Sequence, residues 1–226
     1  MSDLKTADAK RWEAARLIRR AEAVAVAKSL IASKARYATV ALKTGVPWFF
    51  IACVHERESG QNFATQLGQG DPLDKPSVHV PKGRGPFATW EEGAVDALVN
   101  CSPYTSRNSD WSIGGILAQF EKYNGMGYYN RNLPSPYVWS GTDQYATGKF
   151  VADGIYSATA VDRQLGCAAL LIAMMALDRT ISVGTPPVIL SPVPNPLPPD
   201  VPPVEPKPVS AWAAFFAAIL SLFKRK

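Results

Sequence analysis

The sequence predicts a mainly α-helical domain with a small β-hairpin, followed by a proline-rich linker and a hydrophobic C-terminal helix. Three observations lead there. Apolar residues recur at helical rather than strand spacing in several separate stretches. Glycine and proline punctuate residues 61–88, where short alternating segments replace the helical pattern. Eleven prolines crowd the segment from Thr185 to Pro208, and an uncharged apolar run follows.

Four segments follow: an N-terminal helical segment over 1–43, a catalytic domain over 44–183, a linker over 184–209 and a tail over 210–226. Residues Asp8 to Ser33 are rich in good helix formers, and Trp12, Ala15, Ile18, Ala21 and Ala25 mark one face of a long helix. A second helix opens near Pro47, whose ring pre-sets the first turn, and ends at Gly60. Within 61–88, Val78-His79-Val80 alternates like a strand and predicts a small hairpin over a cleft. Thr89-Trp90-Glu91-Glu92 reads as a capping box opening a helix through Leu98. Ile113, Ile116, Leu117 and Phe120 form one face of a helix from about Asp110 to Tyr123. A helix from about Ala160 to Leu177 is almost wholly apolar around Leu170, Leu171 and Ile172, which predicts a central helix covered on all sides.

The prolines of the linker exclude a continuous helix and predict an extended, semi-rigid spacer. Beyond it, the fourteen residues Ser210–Phe223 carry no charge and precede Lys224-Arg225-Lys226. As a helix they span about 21 Å, short of the ~30 Å of bilayer hydrocarbon. The expectation is a tail that contacts a membrane by partial insertion or at the interface.

The 226 residues are 47% hydrophobic with a net charge of +5, enough for one packed domain that favours an anionic partner. Nucleic acid is disfavoured because Lys and Arg are scattered rather than interleaved with aromatics. Cys53, Cys101 and Cys167 form no CxxC motif and read as buried free thiols. His55 and His79 lack metal-ligand spacing, and the N-terminus lacks the pattern of a signal peptide. No Gly-x-Ser-x-Gly elbow supports a serine hydrolase.

The most informative stretch is Val54-His55-Glu56-Arg57-Glu58-Ser59-Gly60. It sets acidic side chains at the closing turn of an apolar helix, where burial and the negative end of the dipole both favour a protonated carboxyl. A proton held near neutral pH is what a general acid needs to break a glycosidic bond. Glu58 is the candidate; Glu56 lies about 160° around the helix and cannot share its cleft well. The expected partner of Arg57 is Glu56 or a later acid such as Asp71. A solvated helix end is the competing reading of this charge cluster.

The stretch Ile51 to Phe63, with Arg57-Glu58-Ser59 inside, resembles the Glu-Ser motif of goose-type lysozymes and soluble lytic transglycosylases. Glu121-Lys122-Tyr123-Asn124-Gly125-Met126-Gly127-Tyr128 looks like their Tyr-Asn-Ala-Gly-x-Gly segment, although here Gly125 follows Asn124 directly. Ser135-Pro136-Tyr137-Val138-Trp139 lies where those families place another tyrosine of the cleft. Gly70-Asp71-Pro72-Leu73, Val78-His79-Val80-Pro81 and Thr89-Trp90-Glu91-Glu92 add to a likeness with phage and prophage endolysins, from Thr44 to about Leu177.

The resemblance implies an α+β lysozyme-like fold and cleavage of the β-1,4 bond between N-acetylmuramic acid and N-acetylglucosamine in peptidoglycan, with Glu58 as acid. It makes Asp71 the first choice for a second carboxylate, although Asp before Pro is also a common turn starter. It implies sugar-binding roles for Ser59, Tyr123, Asn124, Tyr137 and Trp139, set against plain packing and capping. No metal or organic cofactor is implied. The implied setting is a bacterial host's cytoplasm or inner membrane, or a virion, with action on the periplasmic wall. The rivals are a plant-type (family-19-like) chitinase and a non-catalytic, membrane-tethered virion or lysis protein.

Overall fold

The computed structural model describes residues 2–152 and 154–183. The linker expected at 184–209 and the tail expected at 210–226 lie outside the described residues. Among the described residues the architecture is mainly helical with one small antiparallel sheet. The helices are α1 (Ser2–Ala14), α2 (Arg20–Ala32), α3 (Lys34–Thr44), α4 (Trp48–Ser59), α5 (Trp90–Asn100), α6 (Ile113–Tyr123), α7 (Pro136–Trp139) and α8 (Cys167–Leu177). The strands are β1 (Lys149–Ala152) and β2 (Ile155–Ser157).

Helix α8 is the centre, as its unbroken apolar sequence requires: every residue from Cys167 to Met175 is buried. It packs against α2, α4 and α7, while α1 lies on α6 and α3 bridges α4 and α5. Trp12, Ala27, Leu30, Tyr37 and Val40 bury into the same core as α4 and α8, so residues before 44 share that core. Phe50 of α4 stacks on Phe120 of α6 at 4.4 Å and ties the two site-bearing helices together. All three cysteines are free and buried. Among the described residues no single helix is long and apolar enough to cross a membrane.

Several local signals operate as chemistry dictates. Helix α4 ends at Gly60, which is left-handed and donates to the Glu56 carbonyl at 3.0 Å. Thr89 caps α5 by accepting from the Glu92 N–H, and the Glu92 carboxylate reaches back to the Ala88 N–H at 3.0 Å.

Three expectations are corrected. The long helix over Asp8–Ser33 is broken, because residues 16–19 pair with 141–143: Ile18 and Arg19 N–H both donate to the Gly141 carbonyl, and Asp143 N–H donates to Arg16. Tertiary pairing there overrides local propensity. The break shifts the buried face of α2 to Ala23, Ala27 and Leu30 and leaves Ile18 61% exposed.

The hairpin expected within 61–88 is an irregular loop with one isolated bridge, Thr65 to Pro72. The Val78 and His79 N–H groups that a ladder would use donate instead to the Asp71 carboxylate. Gln66 Nε2 spans the loop to the carbonyls of Pro72 and Lys75. The two-stranded sheet forms at 149–157, around the Asp153-Gly154 pair that is the usual hairpin signal.

Helix α8 starts at Cys167 rather than near Ala160, because Gly166 is pinned to the end of α7 by its N–H to the Ser140 carbonyl at 2.7 Å. A Cβ at Gly166 would meet the Val138 carbonyl. Gly166→Ala is therefore expected to destabilise the fold by about 1–3 kcal/mol, the usual cost of overpacking, read as a lower urea midpoint.

Candidate active site

Glu58 sits in the last turn of α4, half-buried between α7 and α6. The helix is wholly apolar up to Val54 and buried from Phe49 to Arg57, so its last turn carries polar side chains into a largely covered environment. Segment 162–165 clamps that end. Gln164 Nε2 donates to the carbonyls of Glu56 and Arg57, at 3.1 and 2.8 Å. Arg57 Nη1 donates to the Leu165 carbonyl at 3.2 Å, and Nη2 to Asp162 Oδ2 at 3.1 Å. The Ser59 hydroxyl donates back to the His55 carbonyl, which is a capping contact.

Tyr137, 2% exposed on α7, donates its hydroxyl to Glu58 Oε1 at 2.8 Å. The Arg57 guanidinium lies over the Tyr137 ring, 4.7 Å from its centre. Burial raises the Glu58 carboxyl to about 7, and the Tyr137 hydroxyl and Arg57 charge hold it from rising further. Tyr123, the last residue of α6, packs edge-on against Phe50 at 6.3 Å. Burial pushes its phenol up, with the Glu58 charge the next cause, so the two groups are neighbours. A half-buried carboxyl that exchanges its proton near neutral pH and is bonded by the Tyr137 hydroxyl can give and retake a proton.

The other expected site residues are distributed as follows. Asn124 is the C-cap of α6, and its Nδ2 donates to the Ser135 hydroxyl at 3.1 Å, joining the 124–132 loop to the start of α7. Trp139 belongs to the core: it is 1% exposed, with Arg11 over its ring, and offers no face to a sugar. Asp71 is 5% exposed, and both carboxylate oxygens serve its own loop: Oδ2 accepts from Val78 and His79 N–H, and Oδ1 meets His79 Nδ1 at 2.8 Å. Glu56 accepts from Gln61 Nε2 at 2.9 Å. His55 is fully buried against Tyr37, Phe63 and Trp90, and burial lowers its imidazole to about 4. Tyr137 is thus bonded to Glu58 with Tyr123 near it, while Asp71 is bonded within its own loop and Trp139 is buried in the core.

Sequence reasoning missed two features. The partner of Arg57 is a later acid, as one of the two expectations had it, but that acid is Asp162 rather than Asp71; a pair 105 residues apart leaves no local signal. A second buried acidic pair joins α1 to α6. Burial raises Glu121 to about 7, with the Asp8 charge adding to the effect, and raises Asp8 itself to about 6 against the Arg11 charge and the Trp139 indole. Among the described residues no group of three His, Cys, Asp or Glu is placed to hold a metal ion.

No family model matches the chain, and neither a curated protein nor a solved structure matches it.

The raised carboxyl at Glu58 has a consequence for stability. Folded Glu58 binds its proton more tightly than the unfolded chain does, so its contribution is present below its ordinary value of 4.5 and is lost as pH climbs to about 7. Glu58→Gln removes that penalty. At about pH 8 the variant is expected to be more stable than wild type by on the order of 3 kcal/mol, and the gap should close by about pH 4, as read by urea denaturation.

Proposed function

We propose that the chain is a peptidoglycan-cleaving glycosidase of lysozyme-like type, a muramidase in which Glu58 is the general acid. The observation that carries this reading is the half-buried Glu58 carboxyl, raised to about 7 and bonded on one oxygen by Tyr137. In the reaction Glu58 gives its proton to the oxygen linking N-acetylmuramic acid to N-acetylglucosamine, and the C–O bond breaks toward an oxocarbenium-like centre. The Tyr137 hydroxyl and the Arg57 charge stabilise the carboxylate left behind, which then acts as base in the closing step. Tyr123 and Asn124, at the end of α6, supply an aromatic edge and an amide for the sugar.

Two endings are open to this site, and one observation favours the second. Water attack under a second carboxylate makes a lysozyme. Attack by the muramic acid's own 6-hydroxyl, with Glu58 as the only acid and base, makes a lytic transglycosylase. Both oxygens of Asp71 are engaged within its own loop, which favours the second ending. The net charge of +5 suits an anionic wall, and the uncharged run Ser210–Phe223 with its basic end suits delivery to a bilayer beside that wall.

Glu58→Gln is expected to lower cleavage of purified peptidoglycan by about 10²–10⁴-fold, with unchanged folding by circular dichroism. Wild-type activity should fall as pH rises through about 7, because Glu58 loses its proton there. Mass spectrometry of the muropeptides separates the endings: products one water lighter than hydrolysed ones mark the transglycosylase. Full activity in Glu58→Gln contradicts the proposal.

A further inference from the structure

The environment of Glu58 is organised from a segment that the proposed reaction does not itself use. Asp162 lies in the extended stretch before α8 and is 8% exposed. Its Oδ2 accepts from Arg57, its Oδ1 accepts from the Gln164 N–H and lies 3.6 Å from Lys149 Nζ, and its N–H donates to the Tyr145 hydroxyl. The Ser140 hydroxyl, just beyond α7, donates to its carbonyl at 2.9 Å. Asp162 is thereby fixed from α4, from β1 and from the α7 end at once. The cation it holds lies over the Tyr137 ring, and the hydroxyl of that ring reaches Glu58.

We propose that Asp162 is a positioning residue for Glu58: it draws the Arg57 guanidinium toward segment 162–165 and seats it on Tyr137, which aims the Tyr137 hydroxyl at the Glu58 carboxyl. The proposal rests on the reading of Glu58 as the reaction's acid. Arg57 and Glu58 meet the same Tyr137 side chain, and the Arg57 charge already acts on the carboxyl, so an unanchored guanidinium is free to swing toward it. A buried cation without a partner is costly and seeks the nearest carboxylate. Such a pair would keep Glu58 ionised and remove the proton that the reaction needs.

The groups facing each member are consistent with this arrangement. Glu58 meets Arg57 on its own helix, Tyr137 from α7, Tyr123 from α6 and Cys167 from α8. Arg57 is therefore the cation that acts on it. Asp162 meets Arg57 and Lys149, with Tyr145 and Tyr128 nearby. Burial works against its charge, but Arg57 and then Lys149 hold its carboxyl below the usual range, whereas the Glu58 carboxyl is raised.

The test follows the Glu58 carboxyl by carbon-13 titration in the full chain, with its signal assigned by its loss in Glu58→Gln, beside the pH profile of peptidoglycan cleavage. Asp162→Asn releases Arg57, so the Glu58 midpoint is expected to fall by about one pH unit, and the high-pH limb of cleavage should fall with it. Arg57→Met combined with Asp162→Asn removes both charges and is expected to move the midpoint above wild type. A purely structural Asp162 would lower melting temperature and rate at every pH while leaving both midpoints in place, and that result overturns the proposal. If Asp162→Asn alone does not fold, the double variant is set beside Arg57→Met: Asp162 acts through Arg57, so the two midpoints are expected to coincide above wild type, and a double-variant midpoint about one pH unit below that of Arg57→Met overturns the proposal. Should the midpoints move as stated while Glu58→Gln cleaves normally, the glycosidase reading fails and the positioning role of Asp162 stands.

Discussion

A carboxyl group held at the covered end of an apolar helix is the constraint on which the rest of this structure turns. Burial favours its neutral form, and the helix dipole adds to that preference. The group beside it in the chain is a cation that would undo the effect if left to pair freely. The fold resolves this conflict by supplying Arg57 with a different carboxylate, Asp162, and a ring to lie on, Tyr137. Glu58 then keeps a neutral donor, the Tyr137 hydroxyl, in place of an ion pair. The irregular segment before α8 exists in the form it does because Asp162, Gln164 and the Leu165 carbonyl all bind the end of α4.

Much of the scaffold was legible in the sequence, and particular residues show why. Gly60 ends α4 and Thr89 opens α5 because those signals act over a single turn, where few alternatives compete. Helix α8 was legible because an all-apolar helix has only one stable location. What was not legible depends on distant backbone. The break after Ala14 arises from pairing with Gly141 and Asp143, and nothing in residues 8–33 announces it. Val78-His79-Val80 has strand-like alternation, but its N–H groups found the Asp71 carboxylate before they found a partner strand. The Asp-Gly pair at 153–154 was a readable hairpin signal, and it marks where the sheet forms.

The candidate site divides in the same way. The helix-end position singled out Glu58 but equally suited a solvated charge cluster, and the resemblance decided between the two; the structure leaves Glu58 half-buried. Tyr123 and Tyr137 were reached through the resemblance, and the structure brings both beside Glu58. Trp139 shares a short helix with Tyr137 but faces the opposite way, toward Asp8 and Arg11. A four-residue helix gives no period from which to tell the two faces apart. The Asp8–Glu121 pair is a second cost of the same kind as Glu58, with two carboxyls near neutral midpoints between α1 and α6. Local rules are often broken where a chain sets aside stability for chemistry, and under the proposed function Glu58 is such a place.

The most direct test of the central claim is the protonation state of Glu58 itself. Infrared difference spectra of wild type minus Glu58→Gln isolate that one carboxyl from Glu121 and Asp8. At about pH 6 the account predicts the carbonyl band of a protonated carboxylic acid, fading with a midpoint near the value of about 7 that burial sets. Carboxylate bands in its place at that pH would mean that Glu58 has already lost its proton, and would contradict its role as the acid.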